Sequence, residues 1–378
     1  MAAGRNGDRI GHMHKDLQKI FLLLLQQGLW NKKSEETIPP LTPQEWEEIY
    51  HFARKQAVQG IVYDGVNMLD SALQPPMTMM IRWTVEIDSI ERANKKQADV
   101  IYKLYNIFTQ ENNLPFLLLK GQANGACYPT PTHRVCGDID LYFYDKSETA
   151  HRIIERRGIY VEREHYREGS NNANYTFEGV PIDHRIRFMT LHNPFTRKRL
   201  KKMQSTQLLD GQQGTLQIKE IGVPTLAPGT SHVMQIAHIL KHLLTEGVGL
   251  RQCCDLAMTL YATRESIDVE DNKKILKSLG LHKFALLMYA FLEEFLGYPK
   301  EQLPQATSYD AAPLLEEIWE SGNFGQMDTR MTVSGNGTRR KLMTFNKVLR
   351  KCMLFARYAP GEAFWWPMEL IRNNIKKR

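Results

Sequence analysis

The sequence predicts an α+β protein, a small mixed β-sheet flanked by N-terminal and C-terminal α-helical regions. Apolar residues recur at helical spacing from the start to about Asn113 and again from Ser231 onward. Between Leu114 and Met189, apolar runs of strand length alternate with short helical stretches, the order expected of a small α/β or α+β unit. The 378 residues are 42% hydrophobic and 10% aromatic, enough to build real cores. The expected division is a helical region over 1–113, an α/β core over 114–228 and a second helical region over 229–378.

The first firm helix start is Thr42-Pro-Gln-Glu45, a capping box with Pro at the first helical position, followed by Trp46, Ile49, Tyr50 and Ala53 at helical spacing. A long helix is expected from Met77 to Asn112, with Trp83, Ile87, Ile90, Ile101, Leu104 and Phe108 as its core stripe. Pro115–Leu119 reads as a buried strand that Lys120-Gly121 ends, and a short helix follows over Gln122–Tyr128. Further strands are expected at Ile139–Tyr144, Ile159–Arg163, Asn174–Glu178 and Val180–Met189, with a helix over Glu148–Arg157, giving a sheet of four or five strands. The basic run Arg197–Lys202 reads as a solvated face that leads through Gly211 and Gly214 to Pro224 and Pro228. Helices are then expected over Ser231–Thr245, Leu250–Ala262 and Lys273–Leu296, a mobile loop over Asn323–Thr338, a basic helix over Arg339–Tyr358 and a last helix around Phe364-Trp-Trp366.

Lys and Arg number 49 against 42 Asp and Glu, so the formal net charge is +7. That suits a phosphate-bearing partner but is too diffuse for a nucleic-acid footprint. The apolar stretch Ile20–Leu25 is far shorter than the roughly 20 residues of a membrane span and shorter than a signal-peptide core. A cytoplasmic protein with no membrane partner is expected. Five cysteines, two of them adjacent and none in a metal-type spacing, suggest reduced thiols.

Chemistry concentrates at Gly137-Asp-Ile-Asp-Leu141. In an extended strand Asp138 and Asp140 face one side while Ile139 and Leu141 face the other. Two adjacent carboxylates repel unless a cation lies between them, so the pattern points to a hard divalent metal, Mg²⁺ or Mn²⁺. Asp183 is the best third ligand, because Val180, Ile182 and Ile186 fall on one face of its strand and Asp183 on the other. Lys120 and Gly121 follow a buried strand and offer a positive charge and backbone N–H groups to phosphate. Arg134, four residues before Asp138, reads either as a bidentate phosphate ligand or as an ion-pair partner of the two acids.

Leu119-Lys-Gly121, Tyr128-Pro129, Arg134, Gly137-Asp-Ile-Asp-Leu141 and Asp183-His184 together resemble an uncharacterised nucleotidyltransferase family of the polymerase-β superfamily. Gly247-Val-Gly-Leu-Arg-Gln-Cys-Cys-Asp255 is also similar to a family segment, so the resemblance spans at least 114–262. It implies a nucleotidyltransferase core, a nucleoside triphosphate substrate and two metal ions held by Asp138, Asp140 and Asp183. Lys120, Gly121, Gln122, Arg134 and Gly137 would then bind the nucleotide, and His184, His242, Arg251 and Asp255 would stand on the acceptor side. The sequence departs from the wider superfamily in placing Gly121-Gln122 where a Gly-Gly or Gly-Ser pair is usual, which removes one phosphate-holding hydroxyl.

Arg251 and Asp255, one helical turn apart, also suit a simple ion pair. His238 and His242 form an i,i+4 pair, but no third ligand of suitable spacing accompanies them, so zinc is not expected. The acceptor is unidentified: a small molecule or protein is favoured, with nucleic acid possible. Alternative readings are a nucleotide-binding module without transfer activity and a nucleic-acid end-modifying transferase.

Overall fold

The structure is a computed structural model that describes residues 13–163, 172–206, 213–323 and 337–375. It opens with α1 (Lys15–Trp30), α2 (Pro43–Lys55) and α3 (Gln59–Asn67). The capping box sets the start of α2: Glu45 N donates to Thr42 Oγ1 at 3.3 Å, and Thr42 N donates to Glu45 Oε2 at 2.7 Å. Helices α1 and α3 cross so closely that only glycine fits. A Cβ added to Gly28 would lie 1.8 Å from the Ile61 carbonyl oxygen, and one on Gly65 would lie 1.9 Å from that of Leu24. Because backbone cannot yield as a side-chain tip can, Gly28→Ala is expected to cost about 3 kcal/mol or more by overpacking. A thermal melt checks this, and an unchanged midpoint contradicts the close crossing.

Helix α4 (Met77–Tyr105) runs into a single wide turn over Asn106–Gln110. Then come β1 (Leu117–Leu118), α5 (Gln122–Gly125), β2 (Ile139–Tyr142), α6 (Ser147–Glu155), β3 (Glu162–Arg163), β4 (Asn172–Phe177), β5 (Val180–Arg185), α7 (Pro194–Thr206), β6 (Gly214–Ile218) and β7 (Ile221–Thr225). They form one mixed seven-stranded sheet in the order β3-β4-β5-β2-β1-β7-β6. The β6–β7 hairpin, read from sequence as a connecting stretch, adds two strands because β7 pairs parallel to β1 through Leu118 and Thr225. The basic run from Arg197 to Lys202 lies within α7, amphipathic enough to bury Leu200. Gly211 and most of the expected loop over Asn323–Thr338 lie outside the described residues.

Strand alternation sends the side chains of the sheet into two cores. Leu118, Ile139, Leu141 and Ile182 pack with Phe108, Phe116, Phe143 and Ile154 from α4, α6 and the connecting segments. Leu117, Leu119 and Tyr142 face the other way, into a larger core shared by α1 to α3 and the C-terminal helices. Those are α8 (Pro228–Leu244), α9 (Leu250–Thr263), α10 (Val269–Ser278), α11 (His282–Leu296), α12 (Ala312–Ser321), α13 (Gly337–Phe355) and α14 (Pro360–Ile375). One long helix expected over Lys273–Leu296 is two, α10 and α11, because Gly280 at φ +72° takes a left-handed turn. The architecture is α+β, with helices flanking a mixed sheet. None of the described helices is long and apolar enough to cross a membrane.

Candidate active site

Strand β5 lies beside β2 in parallel register, with Asp140 opposite Asp183. Paired residues on neighbouring strands project from the same face, so both carboxylates point toward α8 and α9, on the Tyr142 side of the sheet. Asp138 precedes β2 by one residue. Each of the three offers a carboxylate oxygen, and these atoms all lie within 4.8 Å of one another. Asp140 and Asp183 are buried, and Asp138 is partly exposed. Three oxygen donors at that spacing match the preference of Mg²⁺ or Mn²⁺ for hard ligands.

The surrounding charges answer the acids. Lys120 Nζ lies 3.1 Å from Asp140 Oδ2. Arg185, two residues beyond Asp183 and therefore on the same strand face, reaches Asp140 at 2.6 Å, Asp183 at 2.8 Å and Asp138 at 4.0 Å. Burial alone would raise the Asp140 carboxyl, but Lys120 and Arg185 outweigh it and hold the group below its ordinary range. Asp183 goes the other way, pushed up to about 7 by burial, with Asp140 and Asp138 adding to the rise against Arg185. A third cation, Lys241 on α8, is lowered by its own burial and by Arg185 and Lys120, while Glu246 and, less, Asp183 pull it upward.

A cavity of 280 Å³ opens in front of this cluster. Lys120, Gly121, Arg134, Gly137, Asp138 and Asp140 line its sheet side, and Gln235, His238, Arg251 and Asp255 line its helical side. A second cleft, of 530 Å³, lies on the other side of Asp138 and is bordered by Asp183, Asn174 and Pro181. Gly121, at φ +70°, makes the turn that brings Lys120 against Asp140 and starts α5.

A family model described as an uncharacterised nucleotidyltransferase matches residues 42–297, more than half of the chain, and every residue of this acid cluster falls inside it. The chain belongs to the uncharacterised nucleotidyltransferase family. A solved structure of an antigenic nucleotidyltransferase-like protein from Paracoccidioides brasiliensis is similar at 12% identity, with a TM-score of 0.32 over 56% of this chain and 93% of that one. No curated protein matches the chain.

In this nucleotidyltransferase-family chain, five residues expected at the site stand differently from the sequence reading. His184 is a correction: it sits on the opposite face of β5 from Asp183, fully buried, with Nε2 2.9 Å from the Tyr175 hydroxyl and its ring stacked on His151. Alternation along a strand dictates this, and it removes His184 from the acceptor side. Arg134 pairs with Asp255 rather than with Asp138 or Asp140, through Nε and Nη2 at 2.6 Å each. Arg251 donates to the Val135 carbonyl at 3.2 Å. Gln122 turns its amide onto α4, donating to Asn94 Oδ1 at 2.8 Å. His242 packs its ring 4.3 Å from that of His238 and lies 3.4 Å from Glu246, while His238 is the one that lines the cavity.

Arg185 and Lys241 escaped the sequence reading, and His238 entered it only as half of an i,i+4 pair with His242, not as a residue lining the cavity. The signal for Arg185 was available: it follows Asp183 at the two-residue spacing that shares a strand face.

Beside Arg134, His133 braces the site's outer wall, with Nδ1 2.6 Å from Asp64 and Nε2 3.1 Å from Glu91. Burial lowers its affinity for a proton, but these carboxylates outweigh that and raise it above the ordinary value. A raised folded-state pKa means the native chain holds its proton longer than the unfolded one. The His133 contribution to stability is therefore complete below about pH 6.5 and is lost as pH rises through the raised value. Asp64→Asn is expected to flatten this part of the stability profile in urea unfolding, and an unaltered profile would count against it.

Proposed function

We propose that this chain transfers a nucleoside monophosphate from a nucleoside triphosphate to an acceptor, at a metal centre formed by Asp138, Asp140 and Asp183. The observation that carries the reading is the meeting of three carboxylates, Asp138 just before β2, Asp140 on β2 and Asp183 on β5, beside a cavity lined by Asp138, Asp140 and Lys120, within a chain of a nucleotidyltransferase family. Bound there, a pair of divalent ions would neutralise the charge that builds on the transferring phosphoryl group and its leaving oxygen. Lys120 and the backbone N–H groups after Gly121 would hold the triphosphate tail, and Arg185 and Lys241 would add positive charge. The acceptor's oxygen or nitrogen attacks the α-phosphorus, the bond to pyrophosphate breaks, and Asp183 takes the proton. A small-molecule or protein acceptor is favoured, approaching through the cleft beside Asp183.

A second reading, a nucleotide-binding module without transfer, draws on Arg185, which already neutralises the acids from within the chain. Calorimetric titration of the four ribonucleoside triphosphates, with and without Mg²⁺, into wild type and an Asp138→Asn, Asp140→Asn double variant separates these possibilities from error. Binding that needs both metal and acids is expected. Pyrophosphate release in the presence of a candidate acceptor then selects transferase over module. No metal-dependent binding to any triphosphate would refute both.

A further inference from the structure

The net positive charge of the chain is not spread evenly. Residues 337–378 carry eleven Lys and Arg against two Asp and Glu, and residues 194–206 carry five against none, so the rest of a chain with net charge +7 is net acidic. The fold brings α7 against α14. Both acids of the C-terminal segment turn inward to do it: Glu362 accepts from the backbone N–H of His192 at 2.6 Å and of Asn193 at 3.1 Å, and Glu369 pairs with His192 at 2.7 Å and Arg197 at 3.5 Å. Lys351 is buried against Glu317 at 3.0 Å, while Lys198, Arg199, Lys201, Lys202, Arg350 and Arg357 are exposed. On α14, Phe364, Met368 and Ile371 recur at i, i+4 and i+7 and are all exposed, Phe364 to 61%. Phe195 of α7, 71% exposed, joins the stripe through Trp365, whose ring lies 6.1 Å from Phe195 and 5.4 Å from Phe364. Helix α13 exposes Leu349, Met353 and Leu354 among Arg350 and Arg357.

We propose that this face, built by α7, α13 and α14, docks on the surface of an anionic lipid bilayer. Exposed aromatic and aliphatic side chains interleaved with Lys and Arg, and with both local acids consumed inside, match an interfacial surface whose apolar groups enter the headgroup boundary while the cations meet lipid phosphates. A nucleic acid would use the cations and could stack on the aromatics, but it offers nothing to Leu349, Met353, Leu354, Met368 and Ile371. This proposal departs from the expectation, drawn from the shortness of the Ile20–Leu25 apolar stretch, that the chain has no membrane partner. This patch joins elements far apart in the chain, so it exists only once folded. It is also distinct from the acid cluster, so it stands or falls independently of the proposed transferase reaction.

Co-sedimentation of the full chain with vesicles of phosphatidylcholine alone, or of phosphatidylcholine with phosphatidylserine, tests the proposal. Binding to the anionic vesicles, weakened by salt, is expected. Phe364→Gln with Met368→Gln, and separately Lys198→Glu with Arg350→Glu, are each expected to reduce partitioning at least about tenfold. All four side chains are exposed and the two pairs share no position, so if one pair misfolds the other still decides. Failure to bind anionic vesicles, binding that neither pair weakens, or capture of a single-stranded RNA oligomer without capture of vesicles would overturn it.

Discussion

Asp140→Asn is expected to remove nucleotidyl transfer while leaving the fold standing. Asp140 is 1% exposed and central: it lies in register with Asp183, 3.1 Å from Lys120 and 2.6 Å from Arg185. Asparagine matches its shape but cannot contribute the negative charge on which a hard divalent ion depends. Metal-borne stabilisation of the transferring phosphoryl group amounts to several kcal/mol, and each 1.4 kcal/mol is about tenfold in rate, so a loss of at least about a thousandfold in turnover follows. Affinity for Mn²⁺, read by calorimetry without nucleotide, should fall in parallel. Stability should change by about 1.5–3 kcal/mol, the scale of one charge-assisted hydrogen bond. Arg185 retains Asp183 at 2.8 Å and Asp138 at 4.0 Å, and Lys120, which loses its ion pair, is 24% exposed and can be solvated. Transfer activity that survives Asp140→Asn would show that the three acids are not the reactive centre.

Much of this was legible in the sequence because it follows from short-range rules. Two-residue alternation placed Asp138 and Asp140 on one face and Asp183 on the polar side of its strand, and the capping box at Thr42 fixed a helix start. The same alternation, carried two residues further, would have placed Arg185 beside the acids and His184 behind the sheet. Other features depended on long-range pairing. The β6–β7 hairpin is weak in local pattern, broken by Gly222 and Pro224, and becomes part of the sheet because β1 has a free edge for β7. The partner of Arg134 lies 121 residues away, and no spacing rule reaches that far. Helix α7 looked like a solvated basic run because its anchors, Glu362 and Glu369, come from the far end of the chain.

The Arg134–Asp255 pair tells scaffold from ligand. Arg134 is 4% exposed and Asp255 6%, and Tyr128 adds its hydroxyl to Asp255 Oδ1 at 2.8 Å. Burial opposes both charges, yet each holds the other ionised: Arg134 is raised well above its ordinary value and Asp255 is lowered. Removing one member of such a pair strands the other, so Arg134→Met and Asp255→Asn should each cost about 3–5 kcal/mol. The double variant strands neither charge and keeps an acceptor for Tyr128. Its cost should fall short of the sum of the single costs by at least about 2 kcal/mol, a coupling that urea unfolding of all four proteins measures. Function then divides the alternatives for Arg134, whose side chain lines the cavity while its guanidinium is committed to α9. If triphosphate binding in the double variant matches wild type, the pair only clamps α9 to the segment before β2 and so sets the width of the cavity. If the double variant folds but binds triphosphate much more weakly, Arg134 exchanges Asp255 for phosphate when the nucleotide enters, and Asp255 is the counter-ion that holds it in waiting.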